Sequence, residues 1–333
     1  MKKVEHTIPA SFAREDHLDW SEWGTTGLIL LLASLFMVGL YWDTILSMMS
    51  MWSTSRTFAH GFLVLPAAGY FIWCYRPLWI HQVPVPSLWG LGALVLLEVG
   101  WLIGFWAEMS WLQQAAVVAM LPGLLWAVVG EKIVGAVAWP LGFLFFMLPV
   151  GTSIEPWLQD FTAWFVQAGL RLAQIPHFSD NGHQIVITTG VWEVARDCGG
   201  LRYLLPGLAL GAAFAMLIYQ QPFRRLAFLA LCAATLMVAN GVRAYGVIIA
   251  DYFGIADGTD HRVFSYTIYG LTIPLLFWIG LKWSDTGSNA SIGNHIPAPE
   301  GGFDTRKNIA MAIAAVSILA IGRLSVWLWF SHR

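Results

Sequence analysis

The chain has 333 residues, 57% hydrophobic and 11% charged, with 19 Trp and a formal net charge of −2. Soluble domains carry about a quarter charged residues, so a soluble globular fold is excluded. A near-neutral chain also lacks the basic surface that a nucleic-acid partner requires.

Met1 to Gly24 form a polar tail, and the apolar run Gly27 to Trp42 follows it without a small-residue cleavage site. That run reads as a retained first helix rather than a removed signal peptide. Nine apolar segments predict membrane helices, near 26–47, 60–76, 88–106, 111–129, 132–149, 200–219, 224–250, 264–283 and 308–330. Apolar runs of 17 to 26 residues match the thickness of a bilayer core. The expected fold is therefore an all-α polytopic membrane protein with about eight to nine transmembrane helices.

One long external stretch, 150–198, separates the fifth and sixth segments. Within it, Ile154, Trp157, Leu158, Phe161, Phe165 and Leu172 recur at spacings of three and four. The spacing predicts an amphipathic helix over 153–174, lying in the interface. The β-branched run Gln184 to Ala195, with Thr-Thr-Gly at its centre, predicts a short hairpin that leads to Cys198. Ser284 to Lys307 is rich in Gly, Ser, Asn and Pro and reads as a flexible linker. The expected organisation is a cytoplasmic tail (1–24), a membrane catalytic domain (25–283), a cytoplasmic linker (284–307) and an additional C-terminal transmembrane helix (308–333).

Lys and Arg set the orientation. With the N-terminus cytoplasmic, ten of the 18 basic residues fall on the cytoplasmic side, and each short loop there carries one. Of the eight arginines on the opposite side, Arg171, Arg196, Arg202, Arg243 and Arg262 crowd around Cys198 in the sequence. The charges thus gather at one external face, with none expected at the bilayer midplane.

The three cysteines are too few for a disulfide framework. Cys74 and Cys232 belong near the cytoplasmic ends of their segments, where they read as small apolar filler. Cys198 stands on the other face, beyond the ~7 Å Cα separation that a disulfide needs. It is an unpaired thiol at a helix start, where the macrodipole favours thiolate. Gly199 and Gly200 leave backbone N–H groups uncovered, and Arg202, four residues on, returns to the same helix face. Arg196 and Arg202 also suit lipid-phosphate anchoring.

Arg243 lies 18 residues beyond Arg225, roughly 27 Å of helix, and so is level with Cys198. An intramembrane arginine faces a polar partner or snorkels to the interface; Asn240, one turn earlier, is placed to orient it. His261 precedes the eighth segment at the same external mouth. Alone it reads as an ordinary interfacial residue; with Cys198 and Arg243 it completes a set of nucleophile, fixed cation and proton carrier. His60, His81, His177 and His183 are scattered over both faces without metal-ligand spacing, so neither metal nor cofactor is expected.

These residues carry a resemblance. Cys198-Gly-Gly-Leu-Arg202-Tyr, then Asn240-Gly-Val-Arg243, then His261, with His60-Gly-Phe-Leu-Val-Leu-Pro66 upstream, resemble the exosortase/archaeosortase family, most closely exosortase A, over about residues 25 to 283. The family motif usually reads Cys-Ser-Gly, and position 199 here is Gly, which puts in doubt any role for a neighbouring hydroxyl. The resemblance implies a membrane cysteine peptidase or transpeptidase. Its substrates would be exported proteins with a C-terminal Pro-Glu-Pro motif, a transmembrane helix and a basic tail. Cys198 would be the nucleophile, Arg243 the oxyanion stabiliser and His261 the general acid. The setting would be a bacterial inner membrane with the site at the periplasmic face. Independently of the resemblance, the charge pattern leads us to expect the arginine cluster to receive the acidic motif, with Arg202 best placed and Arg196 in support. The acceptor that resolves the thioester would be water, an amine or a glycan lipid.

A polytopic transporter, a polysaccharide polymerase or a scaffold for exopolysaccharide export is the rival class. A carrier is expected to show inverted repeats or midplane charges. A thiol oxidoreductase needs a partner cysteine within reach of Cys198.

Overall fold

The computed structural model describes residues 20–179, 182–255, 261–284 and 304–331; at 20–22, 197, 261–263, 330 and 331 it describes backbone only. The N-terminal tail up to residue 19 and most of the 284–307 linker lie outside the described residues. In chain order the helices are α1 (Trp20–Leu40), α2 (Trp42–Thr54), α3 (Gly61–Cys74), α4 (Arg76–Trp79), α5 (Leu88–Trp106), α6 (Ser110–Val129), α7 (Glu131–Ala136), α8 (Ala138–Phe143), α9 (Glu155–Leu172), α10 (Leu201–Ile218), α11 (Pro222–Tyr252), α12 (His261–Lys282) and α13 (Thr305–Ser331). Strands β1 (Phe178–Ser179), β2 (Gln184–Ile187) and β3 (Gly190–Glu193) lie between α9 and α10.

Among the described residues, seven helices are long and apolar enough to cross a membrane: α1, α5, α6, α10, α11, α12 and α13. An eighth is present if the α8 region and α9, bent by 71° at their junction, form one broken span. The chain is thus an all-α polytopic membrane protein. Two expected segments differ from simple spans. Segment 60–76 is the 14-residue α3, about 21 Å of helix against a core of about 30 Å. Segment 132–149 breaks into α7, α8 and a 3₁₀ turn, Leu144–Met147. Pro140 accounts for the first break, because its ring conflicts with the carbonyl four residues back, at Ala136, where α7 ends.

The helices assemble around several apolar clusters. One joins α1, α5, α6 and α13 through Met37, Leu94, Trp101, Met120, Leu124 and Leu319. Another packs α3 and the α8 region against α10. A third places the sheet on α9 and α11, with Ile185 and Ile187 against Ala163, Val166, Leu170 and Ile248. The sheet is antiparallel in the order β1-β2-β3, with Gln184 opposite Glu193 and Ile187 opposite Gly190. The hairpin thus forms where it was expected, with β1 added at its edge.

One expectation about charge fails. Glu98 lies in the middle of α5 and is 5% exposed, so a carboxyl does sit inside a span. Tyr41, between α1 and α2, donates a hydrogen bond to it. α13 approaches at Gly322, where any side chain would enter the space of the Glu98 carboxyl. Arg323 pairs with Asp43 and lies 5.4 Å over the Trp101 ring. A single Glu in an apolar run barely alters window hydropathy, so the polar tie between α5 and α13 is visible only once the helices pack.

Candidate active site

Cys198 does not sit on α10. It belongs to a 3₁₀ turn, Arg196–Gly199, separated from α10 by Gly200, which has φ 92°. That left-handed residue breaks the helical phase, so the expectation that Arg202 shares a helix face with Cys198 does not hold. Arg202 is exposed, with its guanidinium 5.8 Å from the centre of the Tyr203 ring. Arg196 is exposed as well.

The turn is held from below by α9 and α11. Gln159 on α9 donates through Nε2 to the Val194 carbonyl at 2.6 Å, which fixes the approach from β3. Asn240 on α11 is 1% exposed, and its Nδ2 donates to the Cys198 carbonyl at 2.8 Å and to Thr162 Oγ1 at 3.0 Å. Its Oδ1 accepts from Arg243 Nε and from the Tyr269 hydroxyl, each at 3.3 Å. One buried amide therefore ties the Cys198 turn, the α9 helix, Arg243 and α12 together. A buried polar group stripped of its partner costs about 1–3 kcal/mol, so a hub with four partners is stiff.

Arg243 is 7% exposed, and no carboxylate among the described side chains forms an ion pair with it. Arg243 also lines a small pocket that has Cys198 on its wall. Trp192, Glu193 and Val194 of β3 and Ala244, Val247 and Ile248 of α11 complete the lining. Cys198 is half-buried and packs beside the apolar cluster under the sheet. Together these groups can present a sulfur nucleophile and a fixed cation to one carbonyl.

α12 begins at His261, and its side chain lies outside the described residues. Tyr269, two turns on, reaches the Asn240 hub and stacks on Tyr203, with ring centres 4.1 Å apart. This brings the start of α12 to the end of the bundle that holds Cys198. Cys232 is buried in α11 against Gly211, and Cys74 is exposed on α3. The structure thus unites Cys198, Asn240 and Arg243, and leaves Arg202 and Arg196 outside the pocket. Sequence reasoning missed Thr162, Gln159 and Tyr269, because none carries a charge and each lies in a helix whose periodicity reports only its apolar face.

The two glycines of the motif have different work. Gly199 is buried, and a Cβ there would stand 3.2 Å from the Gln159 backbone nitrogen, so a serine needs only a shift of a few tenths of an ångström. A Cβ at Gly200 would stand 2.6 Å from Asn240 Cγ, on a backbone already left-handed. Gly200→Ala is therefore expected to displace Asn240 and lower stability by about 1–3 kcal/mol. Thermal unfolding in detergent checks this, and a Gly199→Ser control is expected to shift much less.

A comparison with protein-family models matches residues 52–278 to the family described as Transmembrane exosortase (Exosortase_EpsH). The matched range covers the Cys198 turn, Asn240, Arg243 and the start of α12, and excludes α1 and α13. Searches of curated proteins and of solved structures found no match.

Proposed function

Because this chain belongs to the transmembrane exosortase family, we propose that it is a membrane cysteine transpeptidase or peptidase acting on the C-terminal sorting signals of exported proteins. The observation that carries this reading is the shared pocket of Cys198 and Arg243, joined behind its wall by Asn240. His261 takes the proton of the Cys198 thiol, the sulfur attacks the scissile carbonyl, and the carbonyl electron pair moves to oxygen. Arg243 N–H groups stabilise that oxyanion. As the tetrahedral species collapses, the C–N bond breaks and the amine leaves with a proton from His261, so that a thioester remains on Cys198. An acceptor nucleophile, or water, then attacks the thioester and restores the thiol.

The substrate class proposed is a protein with a C-terminal Pro-Glu-Pro motif, a transmembrane helix and a basic tail. Arg202, exposed at the mouth of α10 with its guanidinium near Tyr203, is the cation suited to the acidic residue of that motif. The basic loops favour a cytoplasmic N-terminus and a site at the periplasmic face of the inner membrane. Co-expression with a Pro-Glu-Pro-tailed protein, followed by mass analysis of its new C-terminus, tests the reading. A cut near the motif, bare or carrying an acceptor, is expected. An intact tail in the presence of folded enzyme would refute it.

A further inference from the structure

Arg225 stands one turn into α11, 18 residues before Arg243 and so about 27 Å of helix from the Cys198 pocket. It is 6% exposed. Its Nε donates to the Tyr219 carbonyl at 2.8 Å. The guanidinium carbon lies 5.0 Å from the Trp139 ring centre and 5.8 Å from that of Tyr75. No carboxylate among the described side chains forms an ion pair with it. A guanidinium has five N–H donors; here they meet one carbonyl, the Tyr75 hydroxyl and two ring faces. Burying an unpaired charge is costly.

The same side chain borders a half-open cavity of about 180 Å³, room for a headgroup oxygen cluster and a few methylenes, between the α8 region, α10 and α11. Its other walls are apolar, and they are ordered along the helices. Trp139 and Met216 lie at the Arg225 end, near the α10–α11 turn, while Phe146, Ala212 and Leu229 lie further into the bundle. Gly142 opens the α8 wall, since a Cβ there would meet nothing within 4 Å. The cavity therefore has a single cation at one end and an oily slot running from it.

We propose that this cavity binds one anionic phospholipid. The lipid phosphate pairs with Arg225, and the first part of an acyl chain lies along Phe143, Phe146, Ala212 and Leu229. A free phosphate would leave the apolar walls unfilled, and a zwitterionic lipid would bring its own cation to a site with no carboxylate among the described side chains. The cavity lies at the far end of α11 from Cys198, so the proposal stands independently of the reaction proposed above.

The test is thermal unfolding of the purified protein in detergent, with added phosphatidylglycerol, phosphatidylcholine or inorganic phosphate. Native mass spectrometry counts the retained lipid. Phosphatidylglycerol is expected to raise the unfolding temperature by several degrees and to remain as one adduct, by binding the folded state alone. Arg225→Gln, which removes the charge, and Gly142→Leu, which fills the slot and keeps Arg225, are each expected to abolish that shift. Each variant is compared with itself without lipid, so a lower starting temperature does not obscure the result. Equal stabilisation by phosphatidylcholine, full stabilisation by inorganic phosphate, or an undiminished shift in Gly142→Leu would overturn the proposal.

Discussion

Cys198→Ala is expected to abolish processing of a Pro-Glu-Pro-tailed substrate, a loss on the order of 10³-fold or more, without unfolding the protein. The separation of effects follows from which atoms do what. Asn240 holds the turn through the Cys198 backbone carbonyl at 2.8 Å, a bond that alanine retains in full. The side chain contributes its sulfur to the pocket and only partial burial to the core. Processing is followed by gel shift and mass of the product, and folding by unfolding temperature in the same detergent. Cys74→Ala and Cys232→Ala serve as controls. Neither residue lines the Cys198 pocket, so both variants are expected to keep the activity.

Arg243→Lys is expected to cost about 10²–10³-fold in turnover although the charge is retained. Lysine cannot keep the bond from Nε to Asn240 Oδ1 while presenting further donors to the pocket. Its single ammonium has no fork to divide between the two tasks. Because the oxyanion is absent from the bound substrate and develops only as the sulfur attacks, the loss is expected in kcat, with KM nearly unchanged. Stability is expected to move far less, since Asn240 Oδ1 still accepts from the Tyr269 hydroxyl. A KM effect alone would instead make Arg243 a substrate-docking cation. Asn240→Ala contrasts with it. That change leaves Thr162, Arg243 and the Cys198 carbonyl without their shared partner, and should lower both stability and turnover.

How much of this was legible in the residues depends on what kind of signal each feature leaves. The membrane class follows from run length and charge alone, the α9 helix from a period of 3.6, and the hairpin from its β-branched run around Thr-Thr-Gly. Cys198, Asn240 and Arg243 were found because polar groups stand out in an oily chain, and helix rise alone placed Arg243 level with the cysteine. The relation of Arg202 to Cys198 was misread because it assumed continuous helix across Gly199-Gly200. A glycine pair permits the left-handed break, with φ 92° at Gly200, and does not announce it. Likewise, α7 and α8 share one apolar run, and only the backbone demand of Pro140 divides it. Thr162 and Tyr269 acquire meaning through distances of 3.0 and 3.3 Å to one amide, and no periodicity encodes those. Glu98 was missed for a related reason: its partners Tyr41 and Gly322 are remote in sequence and meet only in the packed bundle.

The central claim is that a thioester forms on Cys198. Its most direct test is to mix the purified enzyme with a tailed substrate, quench in acid, and map the covalent adduct by peptide mass spectrometry. The expected result is the substrate's upstream segment attached to the peptide containing Cys198, released by neutral hydroxylamine as a hydroxamate and absent from Cys198→Ala. Substrate cleaved at normal rate with no adduct, or an adduct on Cys74 or Cys232 that survives Cys198→Ala, would contradict the account.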